Sequence, residues 1–216
     1  MTSWVQVVAS GILGFALGIL ADAISVRMLI RRGLIQTPNA SVRRLVAIGG
    51  AFGFALIPLR LSLLEWPLAI GVGFVLMSLS SCDLRARVLP NDLILLLTST
   101  LLLRAVLVGK LSQYMLGAFA GMAALLLPAL IVSIMTGKSG LGAGDVKLIT
   151  AIGLCIGWPG VIGAVMWGIF CGGLGTLMLV LIGRVKINQP VAYGPYLVAG
   201  SWLFWMLGRD MLLSLY

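Results

Sequence analysis

The sequence contains no histidine and only six acidic residues among its 216 positions. Without an imidazole, Ser/His/Asp and Cys/His catalysis and histidine-ligated metal sites are excluded. The three cysteines, Cys82, Cys155 and Cys171, form no CxxC pair and are expected to behave as small buried hydrophobic residues. We therefore expect neither a metal site nor a cofactor.

Charged residues are also scarce, at 10% of the chain, whereas 61% of the residues are hydrophobic. An average soluble domain has roughly 25% charged residues, so this chain is expected to be embedded in a lipid bilayer. Its long apolar runs leave only brief loops. We predict a single integral-membrane domain over residues 1–216.

Helices of about 20 mostly apolar residues can cross a bilayer. Charges and Pro/Gly clusters divide the chain into eight candidate runs, which predicts an all-α, polytopic transmembrane helical bundle. The predicted spans are residues 4–28, 45–60, 66–82, 91–108, 114–136, 146–158, 160–183 and 195–213. The sixth is too short for a full crossing unless its end is buried in protein or lines a cavity.

The net charge of +9 comes from 15 basic residues, most of which flank the apolar runs. Basic residues in such positions usually set membrane orientation, so we expect no nucleic-acid partner. When alternate loops are assigned to one side, that side holds Arg27, Arg31, Arg32, Arg43, Arg44, Arg85, Arg87, Lys138, Lys147, Arg184 and Lys186. This side is predicted to be cytoplasmic, and eight spans then place both the N and C termini on the non-cytoplasmic side.

Small residues four positions apart are expected to let helix backbones approach closely in lipid. They occur at Gly14/Gly18, Gly49/Gly53, Gly117/Gly121, Gly153/Gly157 and Gly168/Gly172. The first span also contains Asp22. A carboxylate at membrane depth requires a partner, so we expect Asp22 to pair with Arg27 or to lie on the interior face of the bundle.

Two predicted cytoplasmic loops each place an aspartate, Asp83 or Asp145, at the end of a span. Within a few ångströms of each other, two carboxylates share a proton, so that one activates a water and the other polarises a scissile carbonyl. Alternatively, Asp83 caps a helix or pairs with Arg85 or Arg87, and Asp145 caps a helix or pairs with Lys147.

Two glycines, Gly142 and Gly144, precede Asp145. Glycine adopts positive φ readily and lets another backbone come close. A peptide substrate must be held extended beside a catalytic water, and main-chain pairing with this segment is the expected means.

These segments resemble the motifs of the type IV prepilin peptidases, the GxGD class of membrane aspartyl proteases. Asp83 to Asn91 is similar to the first motif, an aspartate followed seven residues later by proline and then Asn or Asp. Residues 142–147 read GAGDVK and resemble the second, GxGDxK. Residues 193–196 read YGPY and resemble the aromatic-Gly-Pro-aromatic segment that opens the last span.

The resemblance implies an intramembrane aspartic endopeptidase of the bacterial cytoplasmic (inner) membrane. Such an enzyme removes the basic leader of type IV prepilins or pseudopilins at the cytoplasmic face, after a glycine that precedes an apolar helix. Asp83 and Asp145 would be the catalytic pair. The supporting or substrate-binding residues would be Gly142, Gly144, Lys147, Pro90, Asn91, Tyr193, Gly194 and Pro195. Lys147 would bias the pair electrostatically or hold a leader carbonyl, and the partners would be prepilins and membrane lipid.

The chain departs from the larger members in one respect. They carry a cytoplasmic loop with two CxxC pairs that is expected to bind zinc, whereas residues 31–44 contain no cysteine. Neither zinc binding nor the associated N-methyltransferase activity is predicted.

Two other functions fit parts of the pattern. A small ion or proton-coupled transporter would also use paired membrane aspartates, although transport sites usually lie nearer the bilayer midplane. An inactive relative that assists assembly is the third alternative. Asp92 is expected either to contact the basic leader or to cap the helix that follows Pro90.

Overall fold

The computed structural model describes residues 3–137, 142–183 and 191–208. Within these ranges every regular element is helical, which confirms the all-α prediction. The helices are α1 (Trp4–Arg31), α2 (Ala40–Ala55), α3 (Ile57–Arg60), α4 (Trp66–Ala86), α5 (Asn91–Leu107), α6 (Leu111–Thr136), α7 (Ala143–Ile156), α8 (Gly160–Leu181) and α9 (Gly194–Leu207), with a 3-10 turn at Leu63–Glu65.

The predicted second span is divided into α2 and α3. Pro58 lies in the first turn of α3 and has no N–H to donate to the carbonyl of Phe54, four residues earlier. The α2 helix therefore ends at Ala55, and the chain turns at Leu56 before α3 begins.

Among the residues that the structure describes, five helical segments are long and apolar enough to cross a membrane, so the chain is a multi-pass membrane protein. They are Trp4–Arg31, Ala40–Arg60, Leu63–Ala86, Leu111–Met135 and Gly160–Leu181. The α5 helix has 17 residues, and α7 and the described part of α9 have 14 each. The count of eight spans and the placement of the termini remain predictions. Lys138, Arg184, Lys186 and the predicted end of the last span lie outside the described residues.

The chain divides into two compact units, Met1–Leu93 and Ile94–Tyr216, and the single domain remains a prediction. In the first unit α1 packs on α2 and α4, and α2 packs on α4. In the second unit α6 packs on α7 and α8, while α9 packs on α7 and α8.

Glycine faces bring the helices of the first unit together. A Cβ at Gly14 would meet the carbonyl of Gly50, and one at Gly18 would meet the backbone of Ala47. The backbones of α1 and α2 are thus in direct contact, as the small-residue spacing predicts. The predicted contribution of Gly49 is wrong, because this residue faces open space.

In the second unit, close backbone contact at glycines likewise holds α6 to α7 and α8 to α9. A Cβ at Gly117 would meet the carbonyl of Gly153, and a Cβ at Gly200 would meet the backbone of Gly168. Side chains at these positions would separate the helices, so the small residues set the spacing on which the second unit depends.

Candidate active site

Asp83 lies in the last turn of α4 and is 6% exposed. The helix ends three residues later, and Arg87 then adopts a left-handed conformation, with φ 52° and ψ 38°. The Arg87 N–H donates to the Asp83 carbonyl at 2.9 Å. A left-handed residue after a helix closes its last turn, although the position is usually taken by glycine.

A second buried carboxylate, Asp22 of α1, is bound to the same end of α4. It is completely buried. Arg85 donates to Asp22 Oδ1 from Nε at 3.1 Å and from Nη2 at 2.7 Å, and Ser81 Oγ donates to the same oxygen at 2.7 Å. Arg43 of α2 donates from Nε to Oδ2 at 3.3 Å. The interior position predicted for Asp22 is therefore confirmed, whereas Arg27, its predicted alternative partner, is exposed.

Pro90 and Asn91 lie where α4 leads into α5. The Pro90 side chain is fully buried, and the exposed Asn91 is the first residue of α5. Asp92 is the second residue of that helix, so its predicted role as the helix cap is wrong. Its carboxylate accepts a hydrogen bond from Arg32 Nη2 at 2.5 Å, while contact with a basic leader remains a prediction.

Asp145 lies in the first turn of α7, where the positive end of the helix dipole favours a negative charge. Gly142 is the N-cap residue, with φ −73° and ψ 132°, and its carbonyl accepts the Asp145 N–H at 3.0 Å. A Cβ at Gly142 would lie 3.3 Å from Asp145 Oδ2. The glycine therefore leaves room for the carboxylate.

Neither of the two motif glycines adopts the positive φ that glycine permits. Gly142 has an extended conformation, and Gly144 lies within the first turn of α7. Lys147, one half-turn after Asp145, is exposed, and its two predicted roles remain predictions.

Tyr193 is the N-cap residue of α9, and Pro195 lies in the first turn of this helix, so the YGPY segment opens the helix as predicted. The Tyr193 ring packs directly against the backbone of Gly172. A Cβ at Gly172 would overlap this ring. Burial raises the pKa of the Tyr193 phenol, and the Asp145 carboxylate raises it further. The second unit thus brings Tyr193 into the electrostatic environment of Asp145.

The predicted site residues divide between the two units. The first holds Asp83, Pro90 and Asn91, and the second holds Tyr193, Gly194, Pro195 and the residues of the GxGD segment. Within the described ranges, no group of three or more cysteine, aspartate or glutamate side chains is placed to hold a metal ion.

Sequence reasoning missed the contribution of Arg85 and Ser81 to the end of α4, and that of Gly172 as the seat of the Tyr193 ring. The position of Asp22 within an apolar run did indicate that its carboxylate needs a partner. Choosing Arg85 over nearer arginines, however, required knowing which helix faces meet. The small-residue spacing identified Gly172 as a contact without identifying the aromatic ring.

These features define an all-helical, multi-pass membrane protein with one aspartate in the last turn of α4 and another in the first turn of α7. Residues 68–177 match the model of the type IV leader peptidase family. The chain therefore belongs to this family, and the match includes both Asp83 and Asp145.

Several relatives are named prepilin leader peptidase/N-methyltransferase. The protein of Aeromonas salmonicida is 31% identical over 145 residues, covering 66% of this chain and 50% of the relative. That of Xanthomonas campestris is 32% identical over 151 residues, with the same two coverages. The Bacillus subtilis protein is 30% identical over 165 residues, covering 76% of this chain and 64% of the relative.

The matched part thus spans about half the length of the first relatives. No solved structure matches the chain significantly.

Proposed function

We propose that this chain is an intramembrane aspartic endopeptidase that removes the basic leader from type IV prepilins or pseudopilins. Cleavage takes place after a glycine, at the cytoplasmic face of the bacterial inner membrane. The observation that carries the proposal is the family match over residues 68–177, which contains both Asp83 and Asp145. The match favours a peptidase over the ion or proton-coupled transporter considered above.

Asp83 and Asp145 act as the catalytic pair. The ionised carboxylate takes a proton from a water molecule, which attacks the scissile carbonyl, while the protonated partner donates to the carbonyl oxygen. Collapse of the tetrahedral intermediate then delivers a proton to the leaving amine. The two carboxyls titrate as a pair, and this chemistry needs neither histidine nor metal.

Local structure supports the role of Asp145. Its carboxylate lies so close to Gly142 that a Cβ there would be 3.3 Å from Oδ2, so the glycine leaves the room that the carboxylate needs. The raised pKa of Tyr193 keeps the phenol protonated, so its hydroxyl serves as a hydrogen-bond donor near the carboxylate. Gly194 and Pro195 set the start of α9 and thereby the position of this phenol.

The remaining supporting residues act on the substrate or on the approach to the pair. Pro90 and Asn91 shape the turn that follows Asp83, and Gly144 keeps the first turn of α7 free of a side chain. Lys147 biases the pair or holds a leader carbonyl. The apolar helix of the prepilin and the surrounding lipid are the partners in the membrane.

We propose peptidase activity alone, although the relatives are also named as N-methyltransferases. In the larger members the second activity is associated with a cytoplasmic loop that carries two CxxC pairs. The corresponding segment here, residues 31–44, has no cysteine.

The test is co-expression with prepilin substrates in cells that lack their own leader peptidase. Wild type is compared with Asp83→Asn and Asp145→Asn, and cleavage is followed by the mobility shift of the substrate. Glu65→Gln is the matched control, since it removes a carboxylate beside the other end of α4.

We expect cleavage by wild type and by Glu65→Gln, and no cleavage by either aspartate variant at equal membrane abundance. Cleavage by Asp83→Asn or Asp145→Asn would remove that residue from the catalytic pair. A wild type that cleaves no prepilin would overturn the proposed function.

A further inference from the structure

We propose that Asp22 is a positioning residue for Asp83. Through Arg85 and Ser81, its carboxylate fixes the last turn of α4 against α1 and so sets where the Asp83 carboxyl is presented. The catalytic part of this inference rests on the proposed peptidase function.

Polar contacts between α1 and α4 follow one face of α4. Ser25 Oγ donates to the Ser78 carbonyl at 2.9 Å, while Ser81 and Arg85 both donate to Asp22. Positions 78, 81 and 85 are three and four residues apart, so they lie on one side of the helix. This side of α4 is therefore joined to α1 up to the penultimate residue of the helix.

Asp83 lies between the last two of these contacts. At about 100° per residue it is turned about 160° around α4 from both Ser81 and Arg85. The contacts that hold these two residues on α1 therefore direct Asp83 to the other side of the helix. Rotation or fraying of this turn would move the carboxyl with it.

The terminal turn of a helix is normally its least stable part. Here it carries a catalytic group, and Asp22 ties it to two other elements. Arg85 Nη2 also donates to the Asn39 carbonyl at 3.0 Å, and the Asn39 side chain accepts the Ser41 N–H as the cap of α2. One carboxylate thus joins α1, the start of α2 and the end of α4.

Because both side chains of the ion pair between Asp22 and Arg85 are buried, removing one partner alone is costly. Asp22 is completely buried and the Arg85 side chain is 3% exposed, whereas that of Arg43 is 48% exposed. Removing Asp22 alone leaves a buried guanidinium without its carboxylate, but removing Asp22 and Arg85 together leaves neither member of this ion pair buried without the other. The double variant therefore separates positioning from folding.

The experiment compares Asp22→Asn, Asp22→Glu, the double variant Asp22→Leu/Arg85→Leu, and the control Glu65→Gln.

The first readout is kcat and KM for prepilin cleavage. The second is the alkylation rate of the native Cys82, which is fully buried beside Asp83. Cys155 and Cys171, in the second unit, are internal controls assigned by mass spectrometry.

We expect Asp22→Asn and the double variant to lower kcat by about tenfold or more, with KM within about threefold of wild type. Cys82 should be alkylated about tenfold faster in both, while labelling of Cys155 and Cys171 does not change. Asp22→Glu should recover part of kcat, because it keeps the charge that Arg85 binds.

A folded double variant that keeps the wild-type kcat would overturn the proposal, because Asp22 would then only stabilise the fold. Unchanged protection of Cys82 in both variants would also overturn it. If wild type cleaves no prepilin, the proposed function fails. The Cys82 rate of the double variant, which removes both charges of the pair, then still decides whether Asp22 fixes the end of α4, because alkylation does not depend on activity.

Discussion

Gly117 of α6 and Gly153 of α7 face each other so closely that neither position has room for a methyl group. A Cβ built on either residue would overlap the carbonyl of the other. The α7 helix, which carries Asp145 in its first turn, is thus held to α6 through direct backbone contact.

Gly153→Ala should therefore destabilise the protein by about 1–3 kcal/mol, because the added methyl forces the two backbones apart. The measurement is the midpoint of thermal unfolding in detergent. Gly173→Ala is the control, since Gly173 has open space around it, and alanine favours a helix by up to about 1 kcal/mol relative to glycine. Equal midpoints for the two variants would contradict the close contact.

Gly142→Ala should impair catalysis without impairing folding. Alanine tolerates the φ of −73° and ψ of 132° at this position, but its methyl would press on Asp145 Oδ2. We expect kcat to fall about tenfold, because small displacements of a catalytic group are costly. Prepilin cleavage by Gly142→Ala is compared with that by Gly49→Ala, whose site faces open space. Similar kcat values would show that the carboxylate has room to move.

Asp145→Asn should lower the pKa of Tyr193. The Asp145 carboxylate opposes formation of the tyrosinate anion, and burial is the larger cause of the raised pKa. Removing the charge lets ionisation begin at a lower pH, while the effect of burial stays. The pKa is read from tyrosinate absorbance, after subtraction of the curve for the same protein with Tyr193→Phe. An unchanged Tyr193 titration would place Asp145 too far away to influence the phenol.

Cleavage should depend on pH with a bell shape. A pair that shares one proton loses activity at low pH, when both carboxyls are protonated, and at high pH, when both are ionised. The profile is measured as kcat for prepilin cleavage in detergent. A flat profile from about pH 4 to 9 would count against the shared proton.

The helices were predictable because a bilayer demands long apolar runs. Within the described residues each of the eight predicted spans overlaps a helix, and the break at Leu56 was not predicted. The two aspartates also stood out, since carboxylates are costly near lipid. They lie in the terminal turns of α4 and α7.

The orientation of each helix about its own axis was harder to predict. A helix that is apolar on every side gives little indication of which face meets a neighbour. This is why Gly49 was chosen where Gly50 makes the contact, and why the partner of Asp22 was sought nearby in sequence. The conformation of Gly142 could not be predicted from the sequence either, because glycine permits positive φ without requiring it.

The buried Asp22 also affects the order in which the helices of the first unit enter the bilayer during synthesis. Arg43 is made 21 residues after Asp22, and Arg85 is made 63 residues after it. A lone carboxylate in a newly made span opposes partition into lipid by about 2.5–3.5 kcal/mol. We therefore expect α1 to stay beside the translocon until α4 has emerged, so that the helices of the first unit enter the bilayer together.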